Sequence, residues 1–308
     1  MDRGPVSPSG RRSPGPQGLI NMDRVAFPFV VGSVRSGTTM FRLMLNRHPQ
    51  LAVPPEAYFP LRLWPYRERY LRTDGFDMQL MTDDLLANPN IPDFRENWGL
   101  DLELVKAELP CRHAADYPDA MRRVYELYAE HHAKPYYGNK TPWFVREMDL
   151  FAEMFPEAIF IHLIRDGRDV AMSMLDQAWG PARLTDAACL WKRLVVEGRS
   201  AGRRLGPQRY LEVRYEDLVT DPESTLQWVC PRIGLDPMVE MLRYYEDAFD
   251  HLPSRVHHLD ENLTWPPTAG LRDWRRDMDR ADRATFEAIA GDLLEDLGYE
   301  TSTVGSKC

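Results

Sequence analysis

Phe29-Val30-Val31-Gly32-Ser33-Val34-Arg35-Ser36-Gly37-Thr38-Thr39 decides the fold. An apolar run predicts a buried strand, a glycine-punctuated turn follows, and Met40 to Arg47 continues as a helix with Phe41, Met44 and Leu45 available to pack on a sheet. Gly32 and Gly37 keep the G-x-x-x-x-G spacing of a P-loop, in which consecutive backbone N–H groups and a helix N-terminus face an anion. A loop that serves ATP or GTP continues as G-K-[ST], with Lys on the β- and γ-phosphates and the hydroxyl on Mg²⁺. Here Gly37-Thr38-Thr39 lacks the Lys, and the positive charge moves forward to Arg35. The loop reads as a grip for a phosphate-like group rather than for a magnesium triphosphate.

A second apolar run, Ile159-Phe160-Ile161-His162-Leu163-Ile164-Arg165, has the pattern of a buried parallel strand ending in a cation. Asp166-Gly167-Arg168-Asp169 supplies turn and N-cap residues, and Val170 to Met174 opens the next helix. Arg165 and Ser173 are thereby placed to converge at the carboxyl end of the strand. Two anion sites imply a ligand with two separated phosphates.

These motifs resemble the sulfotransferases that use 3′-phosphoadenosine 5′-phosphosulfate (PAPS), nearest the branch that includes the tyrosylprotein sulfotransferases. Arg35-Ser36-Gly37-Thr38-Thr39 resembles that family's 5′-phosphosulfate loop, and Arg165 with Ser173 its 3′-phosphate pair. Val213-Arg214-Tyr215-Glu216-Asp217-Leu218 is similar to its strand-borne Tyr-Glu-x-Leu element, whose Tyr lies along the nucleotide. The similarity runs in order from about Phe27 to Tyr299. It implies transfer of a sulfuryl group from PAPS to a hydroxyl or amine, with adenosine 3′,5′-bisphosphate as product and no metal.

The resemblance also implies roles for isolated residues. Glu56, after Pro54-Pro55, stands where the family carries its catalytic carboxylate, and Lys140 in Asn139-Lys140-Thr141-Pro142 stands where a Lys lies near the bridging oxygen of the transferred group. Without the resemblance, Glu56 reads as a surface loop residue and Lys140 as a solvated cation. The expected catalytic set is Glu56, Lys140 and Arg35; the expected nucleotide set is Arg35, Ser36, Gly37, Thr38, Thr39, Arg165, Ser173, Tyr215 and Arg272. Arg272 enters because Asp273 occupies the position before Trp274 where the family tends to place a basic residue, and Arg275 is the other substitute. Gln177 likewise stands where the resembled branch carries a further cation. Arg168 and Asp169 read as helix-opening charges that pair with one another or cap the helix.

Composition narrows the classes. The chain has 308 residues, 44% hydrophobic and 28% charged, as in an ordinary globular protein. A formal net charge of −9 argues against nucleic-acid binding, which rests on phosphate neutralisation by surplus Lys and Arg. Cys111, Cys189, Cys230 and Cys308 form no metal-ligating or disulfide pattern. No apolar stretch has the roughly 18 to 20 residues of a membrane span. Residues 1–24, rich in Pro, Gly, Ser and Arg, read as a disordered tail on a cytoplasmic protein, with no apolar export segment after Arg11-Arg12.

The expected fold is a three-layer α/β sandwich around a central, mainly parallel sheet of about five strands, P-loop-NTPase-like, spanning 25–308. A helical acceptor-side insertion is expected at about 60–134, rich in aromatics (Trp64, Tyr66, Tyr70, Phe76, Trp98, Tyr125, Tyr128) and carrying Arg62, Arg67, Arg69 and Arg72. It reads equally as an acceptor-recognising lid or as a cap that only covers the core. A small molecule, a glycan, a lipid-linked acceptor or a peptide tyrosine would all suit it. A P-loop kinase and a non-catalytic nucleotide-binding protein are the competing functions. Thr38 in place of the Lys argues against the first, and Glu56 with Lys140 against the second. His257 and His258 are reserve candidates for a base.

Overall fold

The computed structural model describes residues 25–87, 94, 97–252 and 261–302. The tail, His257, His258 and Cys308 lie outside them. Strand β1 (Phe27–Gly32) runs into α1 (Thr38–Asn46); α2 (Tyr117–His131), β2 (Asn139–Lys140), β3 (Ala158–Ile164), α3 (Gly167–Leu175), α4 (Leu184–Leu205), β4 (Tyr210–Arg214) and α5 (Arg280–Asp296) follow. The sheet order is β2-β1-β3-β4 and every pairing is parallel.

Alternate β1 residues face opposite layers. Phe27, Phe29 and Val31 pack with Phe151, Phe155 and Phe160, whereas Val30 packs with Phe41, Met44, Ile161 and Leu163. A strand buried on both faces needs apolar residues at every position, which is why β1 and β3 read as continuous runs. A third cluster, with Val170, Trp191 and Phe286, joins α3, α4 and α5.

The expectation is about five strands, and the continuous ladder has four. The short strand Leu51–Ala52 lies outside it and pairs with Tyr136–Tyr137, one residue before β2 begins. Gly138 separates the two pairings and donates its N–H to Ala52 O at 2.8 Å.

The aromatic insertion is mostly core. Tyr70, Trp98, Tyr125 and Tyr128 are buried in the same cluster as Phe27 and Phe29, and Tyr125 Oη accepts a hydrogen bond from Asn139 Nδ2 at 2.7 Å. Three of the four arginines expected there are engaged at the surface: Arg67 stacks on Trp64, Arg69 lies 3.4 Å from Asp84, and Arg72 pairs with Asp77. These four aromatics therefore pack the core. Among the described residues no helix is long and apolar enough to cross a membrane.

Candidate functional site

The turn after β1 is built from conformations that side chains disfavour. Gly37 has φ +90°, and a Cβ added there would lie 2.4 Å from Tyr215 Cδ2. Arg35 has φ +68°, the left-handed region, where few non-glycine residues sit. Ser36 N–H donates to Ser33 O at 3.3 Å, closing the turn. Helix α1 then starts with no side-chain cap and no acidic residue in its first turn, so its N-terminal amides keep their partial positive charge available. Ser36 is buried, and its Oγ has no hydrogen-bond partner among the described residues.

Register places the second anion element beside the first. Gly32 of β1 sits opposite Leu163 of β3, so both strands end at the same edge and Arg165 emerges next to the turn. Its guanidinium lies 4.3 Å from the Tyr215 ring centroid and 3.7 Å from Asp169 Oδ2, while its Nε is buried without a hydrogen-bond partner among the described residues. Burial pushes the Asp169 carboxyl up to about 6 against the pull of Arg165. Arg35 Nε donates to Ser173 Oγ at 3.0 Å, joining the two motifs across 138 residues of sequence. Tyr215 opens the helix Tyr215–Thr220 rather than ending β4, and burial raises its phenol.

Lys140 reaches the same edge from the other side. It is in register with Val30 of β1, and Thr141 N–H donates to Val30 O at 3.2 Å. The nearly buried Lys140 Nζ donates to Glu56 Oε1 at 3.1 Å, and Tyr58 O–H donates to Glu56 Oε2 at 3.0 Å. The Glu56 loop is fixed by its neighbours. Asn46 Oδ1 takes the Val53 N–H at 2.9 Å, Arg42 Nη1 donates to Val53 O at 3.1 Å, and Thr141 Oγ1 takes the Ala57 N–H at 3.0 Å. Two of these three anchors belong to α1, so one helix sets the distance between cradle and carboxylate. Arg42 is fully buried, and burial lowers its guanidinium to about 10. Sequence reading passed over both Arg42 and Tyr58. The available signal was a lone Arg between Phe41 and Leu43-Met44-Leu45 on a helix otherwise apolar there.

Other expected residues sit farther out. Arg272 pairs with Asp176, and the two help line a cavity of about 430 Å³ with Met172, Leu175, Leu271 and Asp277. Asp273 caps the short helix Trp274–Asp277 by accepting from Arg275 N–H, which gives the acidic departure before Trp274 a structural reason. Arg168 is fully buried against Asp166 at 2.7 Å, Glu287 at 2.8 Å and the Trp274 ring, and Asp169 Oδ1 accepts from Trp274 N–H at 2.8 Å. Those helix-opening charges fasten α3 to the C-terminal segment. Gln177 Nε2 donates to Ser173 O at a long 3.4 Å.

The chain is also similar to known proteins. The chain is 23% identical over 286 residues to protein-tyrosine sulfotransferase 2 of Gallus gallus, a match covering 88% of this chain and 66% of that protein. It is 24% identical to nodulation protein NoeE of Sinorhizobium fredii, covering 89% of this chain and 66% of that one, and 24% identical to the Drosophila melanogaster protein-tyrosine sulfotransferase, covering 87% and 48%. The chain thus spans about half to two thirds of the length of these relatives. The sulfotransferase domain of the Synechococcus PCC 7002 olefin synthase shares the fold, with a TM-score of 0.63 at 24% identity over 90% of this chain and 97% of that domain. The model of the sulfotransferase family matches residues 29–240, which contain both anion motifs, Glu56 and Lys140, and the chain belongs to that family.

Proposed function

We propose that the protein transfers a sulfuryl group from PAPS to a hydroxyl acceptor, releasing adenosine 3′,5′-bisphosphate. The observation that carries this reading is the junction of the two anion elements. Arg35 and Ser173 touch, while Arg165 Nε and Ser36 Oγ are buried at the same edge without hydrogen-bond partners among the described residues. A buried polar atom left unpaired costs about 1–3 kcal/mol, and a phosphate oxygen at each would remove that cost. The residues fit such a ligand: Arg35, Ser36, Gly37, Thr38 and Thr39 at its 5′ end, Arg165 and Ser173 at its 3′ end, and Tyr215 along its side.

PAPS supplies an activated sulfuryl group on a phosphate leaving group. What remains for the protein is alignment, a base, and positive charge on the leaving side. Arg35 and the α1 N-terminus stabilise negative charge at the 5′ phosphate. Lys140, held nearly buried at the sheet edge, places a cation beside Glu56 on the path toward that charge. Glu56, with its two oxygens oriented by Lys140 and Tyr58, accepts the proton of the acceptor hydroxyl.

The acceptor we favour is a tyrosine hydroxyl in a peptide or protein. The supporting fact is that curated relatives are named protein-tyrosine sulfotransferases. Incubation with sulfur-labelled PAPS and four acceptor classes (a tyrosine peptide, a simple phenol, a sugar alcohol, a lipid-linked glycan) tests the reading. Labelled product with equimolar adenosine 3′,5′-bisphosphate is expected, tyrosine peptide foremost. Transfer to the sugar alone would replace the acceptor assignment, and transfer to none would defeat the proposed activity.

A further inference from the structure

Glu56 is a flexible side chain on a loop, about one third exposed, and an unrestrained carboxylate there would wander among rotamers. Both of its oxygens are instead held, one by an ammonium and one by a phenol. We propose that Tyr58 is a positioning residue for the reaction: its phenol fixes Glu56 Oε2 opposite Lys140, so that the carboxylate keeps one orientation toward the acceptor. This inference rests on the reading in which Glu56 takes the acceptor proton.

The phenol is itself well anchored. The Tyr58 ring meets Phe144 edge-on, with centroids 6.1 Å apart at 84°, and buried Phe144 packs on Phe151 at 4.2 Å. Tyr58 O accepts the N–H groups of Leu61 and Arg62, both at 3.1 Å, which starts the helix Phe59–Leu63. The preceding residue, Ala57, is tied to Thr141 next to Lys140. The two groups that grip Glu56 are therefore braced against each other through Thr141, and their spacing is fixed before any acceptor arrives. The groups whose charge or hydrogen bonding faces Glu56 are Lys140, Tyr58 and, through its buried positive charge, Arg42.

Loss of the phenol O–H frees Glu56 Oε2 while the ring stays packed, so it has a side-chain order signature that loss of packing lacks. In Tyr58→Phe the ring and its contact with Phe144 are retained. We expect the Glu56 side chain, held in one rotamer in wild type, to average among rotamers in the variant. Three-bond couplings in protein labelled with carbon-13 and nitrogen-15 at glutamate read this directly, with Glu56→Gln identifying the resonances. With a tyrosine peptide kcat should fall roughly tenfold while KM stays within about twofold, and adenosine 3′,5′-bisphosphate affinity should also stay within about twofold.

4-Aminophenylalanine at position 58, a weaker donor of similar shape, should give a smaller loss of both rotamer order and kcat and covers the case of a poorly folded Phe variant. A Glu56 side chain that keeps one rotamer in both proteins overturns the proposal. So does rotamer averaging with an unchanged kcat. Full kcat in Glu56→Gln would instead defeat the assignment of the base, a result separable from these because the couplings need no turnover.

Discussion

Replacing Arg165 by Ala should separate the two ends of the nucleotide. The guanidinium is only 11% exposed, and one face of it stacks on Tyr215. Its Nε is buried without a hydrogen-bond partner among the described residues. A charge-assisted hydrogen bond to a phosphate is worth about 1.5–3 kcal/mol, or roughly 10- to 150-fold in affinity. Asp169 at 3.7 Å already neutralises part of the Arg165 charge, which places the expected loss nearer 10- to 30-fold. Calorimetry at pH 8, well above the value of about 6 to which burial pushes Asp169, keeps that carboxylate ionised throughout. Adenosine 3′,5′-bisphosphate should lose this factor and adenosine 5′-phosphate almost none. Arg35→Ala, at the other end, should weaken both ligands. Equal losses for the two ligands on Arg165→Ala would refute the assignment of this residue to the 3′ phosphate. Arg165→Gln, which keeps a polar side chain of similar reach, should give the same selectivity if Ala disturbs Tyr215.

Three further outcomes follow from the same geometry. Glu56→Gln should fold and bind nucleotide as wild type does while kcat falls about 10²- to 10⁴-fold, measured with the acceptor that labelled PAPS identifies. Gly37→Ala forces a Cβ into the Tyr215 ring in a backbone region costing roughly 1–2 kcal/mol for an L side chain, so nucleotide binding should be lost; Gly99→Ala, at φ +65° with nothing within 4 Å, should cost only stability. His162 is buried in β3, and burial lowers it to about 3; its neutral form is the folded one. Because its proton is bound more tightly in the unfolded chain, its contribution is complete above pH 6.5 and is lost as pH falls, by about 2 kcal/mol at pH 5. Urea titrations of wild type and His162→Gln should therefore differ by that much less at pH 5 than at pH 7.5, and a constant difference would refute it.

What was legible in the sequence were the features that local physics dictates. Continuous apolar runs can only be strands covered on both faces, so β1 and β3 were visible, and Gly32, Gly37 and Gly167 marked the turns that follow them. Helix α4 is legible through its long amphipathic period. The segment before β3 is broken in a way that propensity does not encode: a 3₁₀ turn, Pro142–Arg146, gives way at Glu147 (φ −116°, ψ 18°) to the helix Met148–Met154. Pairings between distant segments were equally invisible. The Arg35–Ser173 contact, the Arg42 anchor on Val53 and the capture of Arg272 by Asp176 depend on which strand lies beside which, and a two-residue strand such as Leu51–Ala52 carries no periodicity from which to read its partner. The aromatic insertion could be read either way for a related reason. Composition counts aromatics without saying which face they line, and most of these face the core.

The central claim is that this cradle was shaped for a nucleotide with separate 3′ and 5′ phosphates, and for none of the magnesium-borne triphosphate chemistry its loop spacing suggests. Calorimetry of the purified protein with adenosine 3′,5′-bisphosphate in EDTA, set beside ATP with magnesium, tests it most directly. Tight metal-independent binding of the bisphosphate and distinctly weaker binding of ATP are predicted; a strict magnesium requirement, or ATP bound more tightly than the bisphosphate, would contradict the account.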